Sequence, residues 1–202
     1  MLFPEISHYL DSIPPQVEGE ERVEKWKTLG HSLKKSTCQG AVNFICTHNA
    51  RRSVLSQCLA AAIAYKNRYP DLVFWSGGAE ETFVHPSTIS TLQRIGFRLI
   101  SKGKGTNPVY ELSFADDATL LRIFSKKFDD ASSPAPYNAV LVCSKGDAAC
   151  PFIPSVASRV LIPFEDPGAF DGSADEEKAY NASAAIIAGE LRYLFEKILP
   201  AL

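Results

Sequence analysis

The chain has no apolar run approaching the roughly 18 residues that a membrane-spanning helix needs. Its first residues, MLFPEISHYL, have no basic stretch ahead of an apolar one. These absences argue against a membrane anchor and a secretory leader. An excess of either charge is also missing: 21 Lys+Arg stand against 23 Asp+Glu, a net charge of −2. That removes the electrostatic footing for general nucleic-acid binding. No internal repeat or low-complexity tract is present, so solenoids and arrays are excluded. Cysteine is scarce and odd in number, five in 202 residues, unlike the paired cysteines of a secreted disulfide framework. The expectation is a cytoplasmic protein whose cysteines are buried or reactive. The four histidines, at 8, 31, 48 and 85, do not cluster with the Cys143/Cys150 pair, and neither a metal nor a cofactor is expected.

What is present is an ordinary globular composition, 46% apolar and 22% charged, long enough to bury one sizeable core. Two stretches stand apart within residues 1–40. Leu2, Ile6, Tyr9 and Leu10 recur at helical spacing up to Pro14-Pro15. Val23, Trp26, Leu29 and Leu33 then mark a second amphipathic helix. Residues 1–40 are therefore read as a helical extension packed on a main domain spanning 41–202. From Ala41 apolar runs alternate with helical patterns. Strands are predicted at 41–46, 72–76, 97–100, 109–114, 139–143 and 159–163, the third and fourth around a Lys/Gly turn. Helices are predicted after residue 53, from Pro86 to Gly96, over Ala118–Phe128, and after Ser173. There a Ser173-x-x-Glu176 capping box precedes the stripe Tyr180, Ala184, Ile187, Leu191, Leu194 and Ile198. Such alternation implies an α/β fold with a mostly parallel sheet covered on both faces.

In such sheets ligands bind beyond the carboxyl ends of the strands. The segment there is Cys46-Thr47-His48-Asn49-Ala50-Arg51-Arg52-Ser53. A loop opening a helix turns several N–H groups toward one point and favours an oxyanion. The same field stabilises a thiolate, and cysteines in such settings titrate at roughly 3.5–7.5 instead of about 8.5. Arg52 supplies a planar fork for two oxygens of a tetrahedral anion, and Ser53 a hydroxyl for the sulfur. Cys46 would then be a nucleophile beneath a bound phosphate-like group, with Thr47, His48, Asn49, Ala50, Arg51, Arg52 and Ser53 around the oxyanion. A bare C-x5-R is common; the strand before it, the helix after it and the Ser following Arg make this one informative. A purely binding module would have lost the nucleophile or the arginine, and both are kept.

CTHNARRS resembles the phosphate loop of low-molecular-weight protein tyrosine phosphatases and of the thioredoxin-coupled arsenate reductases that share their fold. FWSGG (74–78), HPSTISTLQRIGF (85–97) and FEDPGAFDG (164–172) extend the likeness over about residues 41–199. The resemblance implies a three-layer α/β fold with a central four-stranded sheet flanked by helices. It makes Asp166, before Pro167, the acid that protonates a leaving group. VLVCSKGDAACP (140–151) is similar to the arsenate reductases' cysteine segment, and its C-x6-C spacing is poor for zinc. By that likeness Cys46 attacks arsenate, Cys143 attacks Cys46, and Cys150 carries the disulfide to a thioredoxin-like electron donor. The expected function is thiol-dependent arsenate reduction; the alternative is phosphatase action on phosphotyrosine or small phosphoesters. The expected substrate is accordingly arsenate or a phosphate-type oxyanion.

Several positions depart from the pattern. His48 replaces a glycine. Arg51 replaces a small residue, either adding a second positive charge for a dianion or facing solvent. Gln57 stands where many arsenate reductases carry a glutamate that helps hold potassium, which argues against a bound cation. Gly168-Ala169 replaces the paired aromatics that wall the phenyl ring in many tyrosine phosphatases, with Phe170 as a substitute left open. Cys58 falls on an apolar helix stripe and is read as core.

Overall fold

The computed structural model describes residues 1–35, 40–133, 135–143, 153 and 156–202. Helices α1 (Pro4–Ser12) and α2 (Glu20–Lys35) come first. They are followed by β1 (Ala41–Cys46), α3 (Arg52–Lys66), β2 (Val73–Gly78) and α4 (Pro86–Ile95). Next come β3 (Arg98–Lys102), β4 (Tyr110–Ser113), β5 (Leu121–Ile123), β6 (Tyr137–Leu141) and β7 (Val156–Leu161). A 3-10 turn, Pro167–Phe170, leads to the last helix, α5 (Glu176–Tyr193), which runs on through a π turn at Leu194–Ile198. The result is a three-layer α/β fold whose central four-stranded parallel sheet has the order β2-β1-β6-β7, with extra N-terminal helices.

That order places the site. The chain leaves β1 toward β2 on one side and later returns to β6 on the other. The carboxyl ends of β1 and β6 therefore flank the crevice where connections diverge, the preferred ligand position in such sheets. Cys46 ends β1 opposite Gly78, and Cys143 lies just beyond β6. β1 and β6 are buried along their whole length, as expected for continuous apolar runs in a parallel sheet.

The N-terminal helices join the main core. Ile6, Leu10, Trp26 and Leu29 are buried in one cluster with Val54, Leu59, Ile187 and Phe195. Trp26 Nε1 donates to Glu190 Oε2 of α5 at 2.7 Å, and Arg22 Nε pairs with the same carboxylate at 2.8 Å. The predicted stripe of α5 is buried from Tyr180 to Ile198, and Cys58 is core as expected. Gly96 ends α4 in the left-handed conformation (φ 116°), as a glycine at that position should.

Two expectations are corrected. Residues 118–128 are not a helix. Leu121–Ile123 pairs antiparallel with β4 and completes a second sheet, β3-β4-β5. Its apolar residues suit either period, and the open edge of β4 decides in favour of a strand. The capping box also fails. Asp175, with no side-chain cap bond, precedes α5. Ser173 Oγ accepts from Asp175 N instead, and Glu176 reaches back to Gly172 N at 2.7 Å and to Ser87.

Candidate active site

The loop after β1 closes on the cysteine sulfur. Asn49 N donates to Cys46 Sγ at 3.2 Å, and Ser53 Oγ lies 3.1 Å from the same sulfur. Asn49 Nδ2 donates into Ser53 Oγ at 2.9 Å, which leaves the hydroxyl hydrogen of Ser53 for Cys46. Asn49 has φ 48°, a left-handed conformation that asparagine tolerates better than most residues. Its Oδ1 accepts from Lys126 N at 3.1 Å, so backbone and both ends of its amide are held. α3 begins at Arg52 without a side-chain cap. Its first-turn N–H groups, which a helix cannot satisfy internally, remain free for an anion.

Gly78 makes room for this loop. A Cβ there would come 2.7 Å from Thr47 O and 2.8 Å from Asn49 N. Below the loop runs a segment that sequence reasoning missed. Ser125 Oγ donates to His48 O at 2.8 Å, Thr82 Oγ1 donates to the same oxygen at 3.0 Å, and Asn107 Oδ1 accepts from Ser125 N. Gly78 N donates to Lys126 O at 2.8 Å and Phe128 N to Gly78 O at 2.9 Å. These partners lie far apart in sequence, and no motif marks them. Lys126 is wholly buried, its Nζ 4.5 Å from the Phe124 ring centre and without a hydrogen-bond partner among the described residues. Burial pulls its pKa down to about 8, with the Asp130 carboxylate pulling the other way.

A cavity of about 560 Å³ opens above the loop, lined by Cys46, Thr47, His48, Ala50, Arg51, Arg52, Cys143 and residues 163–166. The structure thus brings together Cys46, Arg52, Asp166 and Cys143. Cys150 lies outside the described residues. Cys143 is buried, its Sγ 3.7 Å from Thr47 Oγ1. Arg52 donates to Phe164 O at 3.0 Å and pairs with Asp166 Oδ2 at 2.5 Å. Asp166 Oδ1 accepts from Gly168 N at 3.0 Å, which fixes the turn that presents it. His48 stays half exposed, 3.8 Å from Glu80. Gln57 is buried and accepts from Ser76 Oγ at 2.7 Å. Phe170 faces a neighbouring hollow of about 750 Å³ and not the loop cavity.

Arg51 neither points freely into solvent nor offers an unpaired charge. Its guanidinium is bonded to Tyr180 OH at 2.6 Å and to Asp171. Tyr180 OH also donates to Asp171 Oδ1 at 2.7 Å and lies 2.9 Å from His85 Nδ1. Burial pushes the Asp171 carboxyl up, but hydrogen bonds from Tyr180 and Arg51 outweigh it and hold Asp171 below the ordinary carboxylate range. Burial and the Asp171 carboxylate push Tyr180 far up, so it stays a neutral donor. His85, Asp171 and Glu176 bring one ligand atom each within 4.8 Å of one another. Arg51, Tyr180 and Ser87 already occupy these carboxylates, so the cluster reads as an ionic network and not a metal site.

A scan against protein-family models finds no match, and a search of curated proteins finds none. Solved structures do match. A low-molecular-weight phosphotyrosine phosphatase from Vibrio cholerae O395 superposes with a TM-score of 0.52 at 11% identity, over 77% of this chain and 94% of that one. An arsenate reductase from Archaeoglobus fulgidus gives 0.50 at 19% identity, over 77% and 99%. The chain shares the fold of these two structures. In this chain residues 1–40 carry two helices and 98–123 the small second sheet. No described helix is long and apolar enough to cross a membrane.

Proposed function

We propose that the protein is a cysteine-dependent oxyanion enzyme, and that its reaction is arsenate reduction. The observation that carries this reading is that Cys46 and Cys143 line one cavity with Arg52, at the adjacent ends of β1 and β6. Arsenate would sit on the amides of residues 47–52 and on Arg52. The Cys46 thiolate attacks arsenic(V) to form an S–As bond, and one As–O bond breaks as its hydroxyl takes a proton from solvent and leaves as water. The Cys143 thiolate then attacks Cys46 Sγ. The S–As bond breaks with its electron pair staying on arsenic, so arsenite departs and a Cys46–Cys143 disulfide remains. Two thiols have supplied the two electrons that arsenic gains. Cys150 attacks Cys143, regenerates the Cys46 thiolate, and passes the disulfide to a thioredoxin-like dithiol donor.

The test is NADPH-linked arsenate turnover with thioredoxin and thioredoxin reductase. Cys143→Ser or Cys150→Ser should stop it while leaving aryl phosphatase activity largely intact. Turnover of arsenate by both variants at the parent rate refutes the relay.

A second reading, phosphomonoester hydrolysis, is favoured by Asp166 at the mouth of the cavity. Cys46 would form a phosphocysteine and Asp166 would protonate the leaving oxygen. Asp166→Asn should then slow esters with basic leaving groups about 100-fold and spare arsenate reduction.

A further inference from the structure

Gly168 is the second residue after Asp166, and the space a side chain would fill there is already taken. A Cβ on Gly168 would meet Arg51 Nε at 2.9 Å, Arg51 Cζ at 3.0 Å and Asp166 Oδ1 at 3.1 Å. The Arg51 guanidinium therefore lies across the 3-10 turn that carries Asp166, and its far edge is bonded to Asp171 just past that turn. Tyr180 of α5 holds both Arg51 and Asp171, and His85 at the start of α4 backs Tyr180. A residue of the oxyanion loop thus grips both the start and the end of the acid-bearing segment.

The other anchor of that segment is Arg52, paired with Asp166. That pair cannot persist through the proposed hydrolysis. An acid ready to donate its proton carries no charge for Arg52 to hold, and a bound dianion competes for the same guanidinium. We propose that Arg51 is a positioning residue for Asp166: it braces the 166–171 turn and keeps the acid in place when Arg52 turns to the oxyanion. The proposal rests on the phosphoester reading for its catalytic consequence, but not for the brace itself. It also gives Arg51 a reason to be an arginine. Lysine can reach one partner, whereas a guanidinium can lie flat on Gly168 and bond Tyr180 and Asp171 at once.

The experiment compares the full-length parent, Arg51→Gln, Arg51→Lys and Gly168→Ala, with saturating inorganic phosphate for the exchange measurement and without phosphate for turnover. Gly168→Ala pushes the guanidinium away while leaving Arg51 in the chain, and so covers the case in which Arg51→Gln does not fold. Amide exchange is read at Gly168, Ala169 and Asp171, whose N–H groups are bonded within the turn. About tenfold faster exchange is expected in Arg51→Gln and Gly168→Ala, with Arg51→Lys between them and the parent. Turnover of phenyl phosphate should fall about tenfold, and that of 2,4-dinitrophenyl phosphate, whose leaving group needs no proton, less than about threefold. Unchanged exchange in both brace variants overturns the proposal, and so do equal losses on the two esters. If the parent cleaves neither ester, the role of Asp166 as acid falls, and the exchange rates alone decide the brace.

Discussion

The two sheets divide the labour. The parallel sheet β2-β1-β6-β7 ends in the candidate reacting groups: Cys46 closes β1, and Cys143 follows β6. The antiparallel sheet β3-β4-β5 carries no candidate catalytic residue, yet the chain leaving it, from Ser125 to Phe128, underpins the loop at His48, Asn49 and Gly78. The proposed chemistry sits where buried, continuous strands converge, and the loop that would hold the oxyanion is supported from a smaller sheet attached at the side. Damage to the first should abolish reaction in a folded protein. Damage to the second should cost stability and loosen substrate binding.

The sharpest break of that contrast is Cys46→Ser. All turnover should fall about 1,000-fold or more, with a thermal unfolding midpoint close to the parent's. A large drop in the midpoint would mean that the nucleophile is also a structural group. In the small sheet, Ile123→Ala removes a fully buried side chain. It should lower unfolding free energy by about 2–4 kcal/mol in a denaturant titration while leaving the chemical step nearly intact.

Lys126→Met tests the junction of the two regions and should have the opposite sign. The ammonium is buried without a hydrogen-bond partner among the described residues, and its folded-state pKa of about 8 lies below the ordinary lysine value. The unfolded chain therefore binds more protons between about pH 8 and 10, so stability of the parent should rise over that window. Below pH 8 the full cost of burying the charge is present, worth about 3 kcal/mol at about 1.4 kcal/mol per tenfold change in proton affinity. Lys126→Met should be more stable by up to that amount at pH 7, with the advantage shrinking above pH 8. The smallest effect is expected from Ser125→Ala, which removes the bond to His48 O and the acceptor for Thr82 N. A loss of about 1–2 kcal/mol in stability should accompany weaker phosphate binding by calorimetry; unchanged phosphate affinity would confine Ser125 to the fold.

The same division governs what the sequence could reveal. AVNFIC and the run ending at Cys143 read as strands because burial on both faces makes them continuously apolar. CTHNARRS could be read because strand, loop and helix follow one another without interruption, and the structure closes that loop on Cys46. Residues 118–128 depart from the helix that their spacing predicts because their apolar residues fit two periods, and only the unpaired edge of β4 chooses between them. The sequence allows Arg51 either to bind a dianion or to face solvent. Its actual partners, Asp171 and Tyr180, lie 120 and 129 residues away. Local spacing carries no trace of bonds that only the assembled fold creates.

Glu190 shows how deeply the first helices are woven in. Its carboxylate sits in the interior, with the Arg22 guanidinium on both oxygens and the Trp26 indole on one. A chain shortened to begin at residue 40 would lose both partners of that carboxylate and uncover α5 around Gly189–Arg192, where Gln16 N donates to Gly189 O and Arg192 donates to Leu10 O. Shortened expression forms should therefore collect as insoluble aggregate, and the opening 35 residues would unfold together with the rest rather than peel away first.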